Sequence, residues 1–503
     1  MGTRRQFLST ALVGLTAKGA RAPIAGSFVN DSFPTGHRIR DHAKFATPAR
    51  QEKVPIVIVG GGMAGLSAAW RMEKRGFHDF VLLEMEAQPG GNSRWGENEI
   101  TAYPWAAHYV PVPDARETLV RELFEELGVF KDGKWDERRL CFSPQERLFL
   151  HGRWQEGIEP EAESTGRDRE DYRRFEDSMK EFRASGEFTI PMERGSERVG
   201  LKSAALDRMS MEQWMSANKF TSPYLNWYVN YACRDDYGAL ARDTSAWAGV
   251  QYFASRAEEE KGPLTWPEGN GWIARRLIEK LQPWIRASSP VSSIAREGRR
   301  LRVRTEAAEY LAERVIFAAP TFTAPYVIEG APRAEGFVYS PWVTANLTME
   351  RPPEDTAWDN VIYESPALGY VVATHMTLAS VVERSVWTFY WSLGEGAPAA
   401  MRQMLLERDW AWWREAILDD LARAHPDIRE RVSRVDVMRF GHAMARPVVG
   451  FLESGVRRRF AKGEREEAVI YANSDLSGFS IFEEAQYRGV TAADRAMAAV
   501  GRG

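Results

Sequence analysis

The chain has 503 residues, a formal charge of −4, 44% hydrophobic residues and two cysteines, Cys141 and Cys233. That length supports two or three domains, or one large two-domain enzyme, with a substantial core. The mild negative charge argues against a nucleic-acid partner, and two cysteines exclude a disulfide framework while leaving room for a single bridge.

Residues 1–22 read as a targeting segment. Thr3-Arg4-Arg5-Gln6-Phe7-Leu8 is close to the twin-arginine consensus. A short apolar run over 11–17 follows, and Ala20-Arg21-Ala22 is a candidate cleavage site. The run is too short to span a bilayer, and no later stretch reads as transmembrane, so stable membrane insertion is not expected. The twin-arginine translocase is therefore an expected partner and the periplasm the expected location. Residues 23–53 read as a polar, irregular lead-in.

The most informative stretch is 54–94, VPIVIVGGGMAGLSAAWRMEKRGFHDFVLLEMEAQPGGNSR. Residues 54–59 are apolar and β-branched, as in a strand covered on both faces. Gly60, Gly62 and Gly65 then fall in the G-x-G-x-x-G pattern. The first glycine allows the turn, the second lets backbone approach a pyrophosphate, and the third lets the following helix pack against the strand. That helix begins at Met63 and Ala64 and directs its free N–H groups and positive dipole end at the phosphate. A second strand over 80–83 ends in Glu84, about 20 residues past the turn, where a carboxylate reaches ribose hydroxyls.

Gly90, Gly91 and Arg94 follow at once. This second glycine motif resembles that of the flavin amine oxidase and phytoene desaturase superfamily, in which the chain passes over the flavin pyrophosphate. Two later segments extend the resemblance. Residues 266–271 (WPEGNG), Pro290-Val291 and 315–320 (VIFAAP) resemble the family's middle section, which implies that the backbone at Val291 lies against the adenine. Residues 471–493 (YANSDLSGFSIFEEAQYRGVTAA) resemble its C-terminal flavin motif. That implies Asp475 near the ribityl chain and pyrophosphate, and N–H groups at Ile481 and Phe482 that stabilise charge on the reduced ring. The cofactor implied is FAD, bound non-covalently, because no cysteine lies in the C-terminal segment. No metal site is expected.

The fold class implied is α/β: a Rossmann-like FAD-binding domain (54–105, 265–320 and 441–503) with an inserted α+β substrate or cap domain (106–264 and 321–440). Helical patterns run over 116–127, within the charged region 155–200, over 210–238 and over 410–424. Residues 338–395 alternate like strands and are expected under the substrate cavity.

The chain departs from the amine oxidases at two points. There is no lysine between Lys280 and Lys462, whereas those enzymes commonly hold a water near the flavin with one. The aromatic residue ahead of their final flavin helix is matched by Ile481. Polar candidates for catalysis are His108 and Tyr109 in YPWAAHYVP, His375 in YVVATHM, and His442 in FGHAMARP, each with a structural hydrogen-bonding role as the alternative. Tyr390 and Trp391 are candidates for an apolar substrate wall, with Ile481 beside them, and Arg446 for a substrate carboxylate.

The expected function is hydride transfer from an amine or amino-acid-like small molecule to FAD, then to oxygen or a quinone or protein carrier. The alternatives are a desaturase or isomerase of an apolar substrate, or a flavin-binding protein without turnover.

Overall fold

The computed structural model describes residues 23–29, 32–160, 164–193, 201–256, 262–378, 382–462 and 468–501. The twin-arginine segment over 1–22 lies outside the described residues.

The strands Ile56–Val59 and Phe80–Leu83 are buried at every position, because helices cover one face and a small sheet covers the other. They sit in a five-stranded parallel sheet ordered Ile285–Arg286, Phe80–Leu83, Ile56–Val59, Arg314–Phe317, Val469–Tyr471. On one face lie the helices Met63–Lys74, Gly271–Leu281 and Phe482–Val500, which share one apolar core. On the other face a four-stranded sheet packs its apolar side: Gln51–Lys53, Glu309–Ala312, Arg300–Arg304, Ser293–Glu297. Three segments distant in sequence thus return to one Rossmann-like layer.

The second body is a seven-stranded sheet ordered Arg153–Glu156, Glu146–Leu150, Asp359–Ile362, Gly369–Val372, Ser385–Ser392, Val338–Met349, Val432–Arg446. Helices Pro398–Glu407 and Trp410–Leu421 lie against one face. The other face carries an aromatic cluster. Val338–Met349 is therefore buried at all but its first position rather than alternating. A helical cap completes this body: Gly166–Ser185, Met211–Ala217, Pro223–Tyr237 and Ala246–Ala254 share a third core. The charged region supplies Gly166–Ser185, started by a capping box between Thr165 and Asp168.

Three sequence expectations need correction. Residues 23–53 are not irregular throughout. They hold the helix Phe33–Arg40, the strand Gln51–Lys53, and bridges from Ala25 and Phe28 to Arg434 and Val437. The boundary after 440 cuts the strand Val432–Arg446, whose pairing with Val338–Met349 continues to its end. The boundary after 264 cuts the short strand Leu264–Thr265, which pairs with Tyr109–Val110. Strand pairing, invisible in a single segment, decides all three. Cys141 and Cys233 are buried and free.

A backbone-to-backbone contact joins the two ends of the nucleotide layer. A β-carbon on Gly489 would lie 2.0 Å from the Ala64 carbonyl oxygen, so the helices Phe482–Val500 and Met63–Lys74 touch backbone to backbone. Any side chain there would force the final helix away from the glycine turn.

Candidate active site

The glycine turn is built as a phosphate cradle. Gly60 has φ +104°, a conformation that L side chains rarely adopt. A β-carbon on Gly65 would meet the Gly60 carbonyl oxygen at 1.9 Å. Gly62 bridges Gly90, and the Gly90 N–H donates to the Gly61 carbonyl at 2.8 Å, so the two glycine motifs form one surface without side chains. The helix Met63–Lys74 has no side-chain cap at Gly62, which leaves its first N–H groups for an anion. These residues line a long cleft enclosing about 2870 Å³, its open mouth included.

Glu84 lies on the cleft wall at the end of its strand. Its carboxylate accepts the Gly61 N–H and, at 2.8 Å, the Glu86 N–H. Burial raises its pKa, and those two bonds oppose the rise. A carboxylate has further lone pairs for ribose hydroxyls. Arg94 lines the same cleft, its Nε donating to the Gly91 carbonyl at 3.1 Å. Val291, Asp475, Ile481 and Phe482 also line it. The Asp475 carboxylate accepts the Thr321 N–H and hydroxyl, each at 2.7 Å, and the Tyr339 hydroxyl. It thereby ties the nucleotide layer to the substrate sheet. Ile481 is the N-cap of Phe482–Val500 with no side-chain cap, so that helix also presents an open N-terminus to the cleft. The donor set, the cradle and the acid fit a dinucleotide from adenosine to pyrophosphate.

The corrected N-terminal segment closes this cleft. Phe33, Gly36, His37, Ile39 and Arg40 form part of its wall. Ser32 donates its hydroxyl to Glu86, the Val29 N–H donates to the Val437 carbonyl at 2.9 Å, and the Arg439 guanidinium stacks on Phe28 at 3.8 Å. The segment bridges the two bodies across the cofactor site.

A second cavity of about 1100 Å³, its open mouth included, opens from the cleft, and both are lined by Asn92, Ala107, Asn270, Ala443, Ser480, Ile481 and Phe482. His108, Tyr109 and Tyr390 stand on its wall, with Trp342 and Phe440. His108 lies 4.7 Å from the Tyr390 ring, and its Nδ1 and the Tyr390 hydroxyl both bond the Ala106 carbonyl. Burial pushes the His108 imidazole down to about 4, so it is neutral at neutral pH.

Four other candidates fall elsewhere. Trp391 lies on the opposite face of its strand, 5.9 Å from the Trp413 ring, because neighbours on a strand point to opposite faces. Arg446 is buried behind the wall, donating to the Ser340 hydroxyl at 3.2 Å and the Leu393 carbonyl at 3.4 Å. His375 is held by the Phe142 carbonyl at 2.8 Å and lines neither cavity. His442 lines the cofactor cleft rather than the second cavity, stacked on Phe322 at 4.1 Å, and burial pushes it down to about 4.

The sequence reading missed the acids. Asp235, Asp236 and Glu483 line the second cavity, and among the described residues that line it Arg256 is the one guanidinium. Arg256 reaches Asp236 at 3.3 Å. Burial pushes Asp235 and Glu483 up to about 7, and the charge of Asp236 adds to the rise at Asp235. One signal was available. Asp235 and Asp236 close the helix Pro223–Tyr237, at the end where the dipole disfavours negative charge.

The chain matches the profile described as flavin containing amine oxidoreductase over residues 63–497. The chain belongs to this family. It is an FAD-dependent oxidoreductase. Putrescine oxidase, solved as the wild type bound to putrescine, superposes with a TM-score of 0.69 at 17% identity, covering 89% of this chain and 100% of that one. Cyclohexylamine oxidase from Brevibacterium oxydans IH-35A gives 0.67 at 14% identity, covering 89% and 100%. A fatty acid isomerase from P. acnes gives 0.65 at 14%, covering 88% and 98%. At these identities the likeness is one of fold. A Baeyer-Villiger monooxygenase of Penicillium patulum is 31% identical over 110 residues, 22% of this chain and 16% of that protein. The match thus spans about a sixth of that relative's length.

The N-terminal closure yields a prediction. A chain starting at Ala46 should release FAD roughly tenfold faster than one starting at Pro23, a loss of about 1.4 kcal/mol. Release is followed by the recovery of flavin fluorescence on dilution. Equal rates would show that the segment does not retain the cofactor.

Proposed function

We propose that this protein oxidises a cationic amine and is exported through the twin-arginine pathway to the periplasm. The observation that carries the substrate class is the second cavity. It joins the cofactor cleft, its walls are aromatic, and among the described residues three carboxyl groups line it against one guanidinium. An ammonium group gains from ring faces and from carboxylates in a site shielded from water. FAD, held non-covalently, supplies the hydride acceptor. The chain's own residues do the rest. Tyr109, Trp342, Tyr390 and Phe440 enclose the substrate and exclude water, which favours a single approach of the reacting carbon. Asp235, Asp236 and Glu483 hold the charged nitrogen. The open N-terminus of Phe482–Val500 favours negative charge in the cleft. Oxygen or a carrier then takes the electrons.

A second reading rests on Ile481, an aliphatic side chain at the junction of the two cavities. With the acids protonated in the empty cavity, an apolar substrate for desaturation or isomerisation would also be accommodated.

Two measurements separate these readings. Steady-state oxidation of a panel of primary and secondary amines should succeed for cationic members, and Asp235→Asn with Asp236→Asn should raise KM roughly tenfold or more with a smaller change in kcat. Failure with every amine, or conversion of an unsaturated fatty acid without net oxidation, would favour the second reading. For export, Arg4→Lys with Arg5→Lys should retain the protein in the cytoplasm of a host with the translocase. Delivery outside the cytoplasm regardless would remove that part of the proposal.

A further inference from the structure

An amine enters solution chemistry as its ammonium form, yet only the neutral amine can give up the hydride of its neighbouring carbon. One proton must therefore leave an enclosed cavity before each oxidation. Among the described residues no lysine lines this cavity, and His108 is neutral and bonded to a backbone carbonyl. The carboxyl groups are the remaining acceptors.

Glu483 is 3% exposed and lies on the cavity wall in the first turn of the final helix. Glu117, the N-cap of the helix Thr118–Glu126, lies within reach of the Glu483 charge. Those two helices are locked together: the Gln486 side chain donates to the Leu119 carbonyl at 2.9 Å, and the Phe124 and Phe482 rings stack at 5.9 Å. Glu117 Oε1 accepts the Asp114 N–H at 3.0 Å, but its Oε2 is buried without any hydrogen-bond partner among the described residues. A buried carboxylate oxygen left bare is costly, whereas a protonated one, or one passing a proton, is not. Asp114 in turn is about a third exposed, beside the exposed Arg116. The three carboxyls lead from the cavity wall to the surface.

We propose that Glu483 and Glu117 carry the proton of the bound ammonium out of the substrate cavity. The proposal rests on the reading of the substrate as an amine. Glu483 carboxylate takes a proton from the ammonium nitrogen, breaking N–H and forming O–H, and leaves the neutral amine. Glu483 then passes that proton to Glu117, which gives one up at the surface beside Asp114. No electrons move in these steps; the hydride leaves separately for the flavin.

The electrostatics agree. Glu483 faces Arg256, Asp236 and its neighbour Glu484, and burial pushes it up to about 7. Glu117 faces Glu483, Asp114 and Arg116, and burial with the Glu483 charge pushes it up to about 8. Near neutral pH the pair therefore shares roughly one proton, and an arriving second proton expels the first. A carboxyl at its ordinary value would hold a proton about a thousandfold less well and be a poor acceptor from an ammonium.

The test is anaerobic reduction of the bound flavin, followed by stopped-flow absorbance, with the amine of the panel above that reduces it fastest. Glu483→Gln should slow reduction roughly a hundredfold at pH 7. The deficit should vanish as the pH approaches the pKa of the free amine, where the neutral form binds directly. Glu117→Gln lies outside the cavity wall and should show the same pattern with a smaller deficit. It also carries the test if Glu483→Gln fails to retain FAD. A deficit independent of pH in both variants, or none in either, would overturn the proposal. If no amine reduces the wild-type flavin, the substrate reading fails first, which is a separate result.

Discussion

The Ala64 carbonyl oxygen occupies the space that a Gly489 side chain would need, and the rest of the enzyme depends on that contact. It brings the helices Met63–Lys74 and Phe482–Val500 together. It sets the open N-termini of both helices along one cleft, the first at Gly62 and the last at Ile481. It also fixes the wall shared by cofactor cleft and substrate cavity, because Ser480, Ile481 and Phe482 lie just ahead of that helix or in its first turn. Two chain segments more than 400 residues apart could approach this closely only where side chains are absent.

The second organising feature is electrostatic. Asp235, Asp236 and Glu483 are placed where water is scarce, and each has its acid form stabilised by burial. Such groups cost stability when charged and unpaired. Arg256 compensates only in part, at 3.3 Å from Asp236. A cationic ligand would complete the compensation, which is why charge rather than shape defines the ligand best suited to this cavity.

The nucleotide layer was legible in the sequence because backbone geometry restricts its residues. A turn at φ +104° calls for glycine, and buried parallel strands call for apolar residues at every position. The cavity was harder to read. Tyr390 faces it and Trp391 faces away, yet both neighbours in Ser385–Ser392 are apolar on either side, so periodicity gives no phase. Arg446 and His375 look like site residues in sequence, but their partners are backbone carbonyls and a hydroxyl supplied by distant segments. The helix Phe33–Arg40 has no fully buried residue and so a weak core signal; Ile39 against the nucleotide-layer core, the Arg38–Glu306 ion pair and the Ser32 bond to Glu86 hold it. The acidic pair Asp235–Asp236 carried the one overlooked clue, its place at the wrong end of a helix dipole.

The proposed amine oxidation requires a flavin cleft that opens directly onto a cavity suited to an ammonium group. The most direct test is the visible spectrum of the purified protein, recorded without oxygen before and after adding amines one at a time. The expected result is flavin bands that a cationic amine bleaches, while the corresponding neutral alcohol leaves them intact. Flavin bands that no amine bleaches, in a protein whose flavin dithionite still reduces, would contradict it.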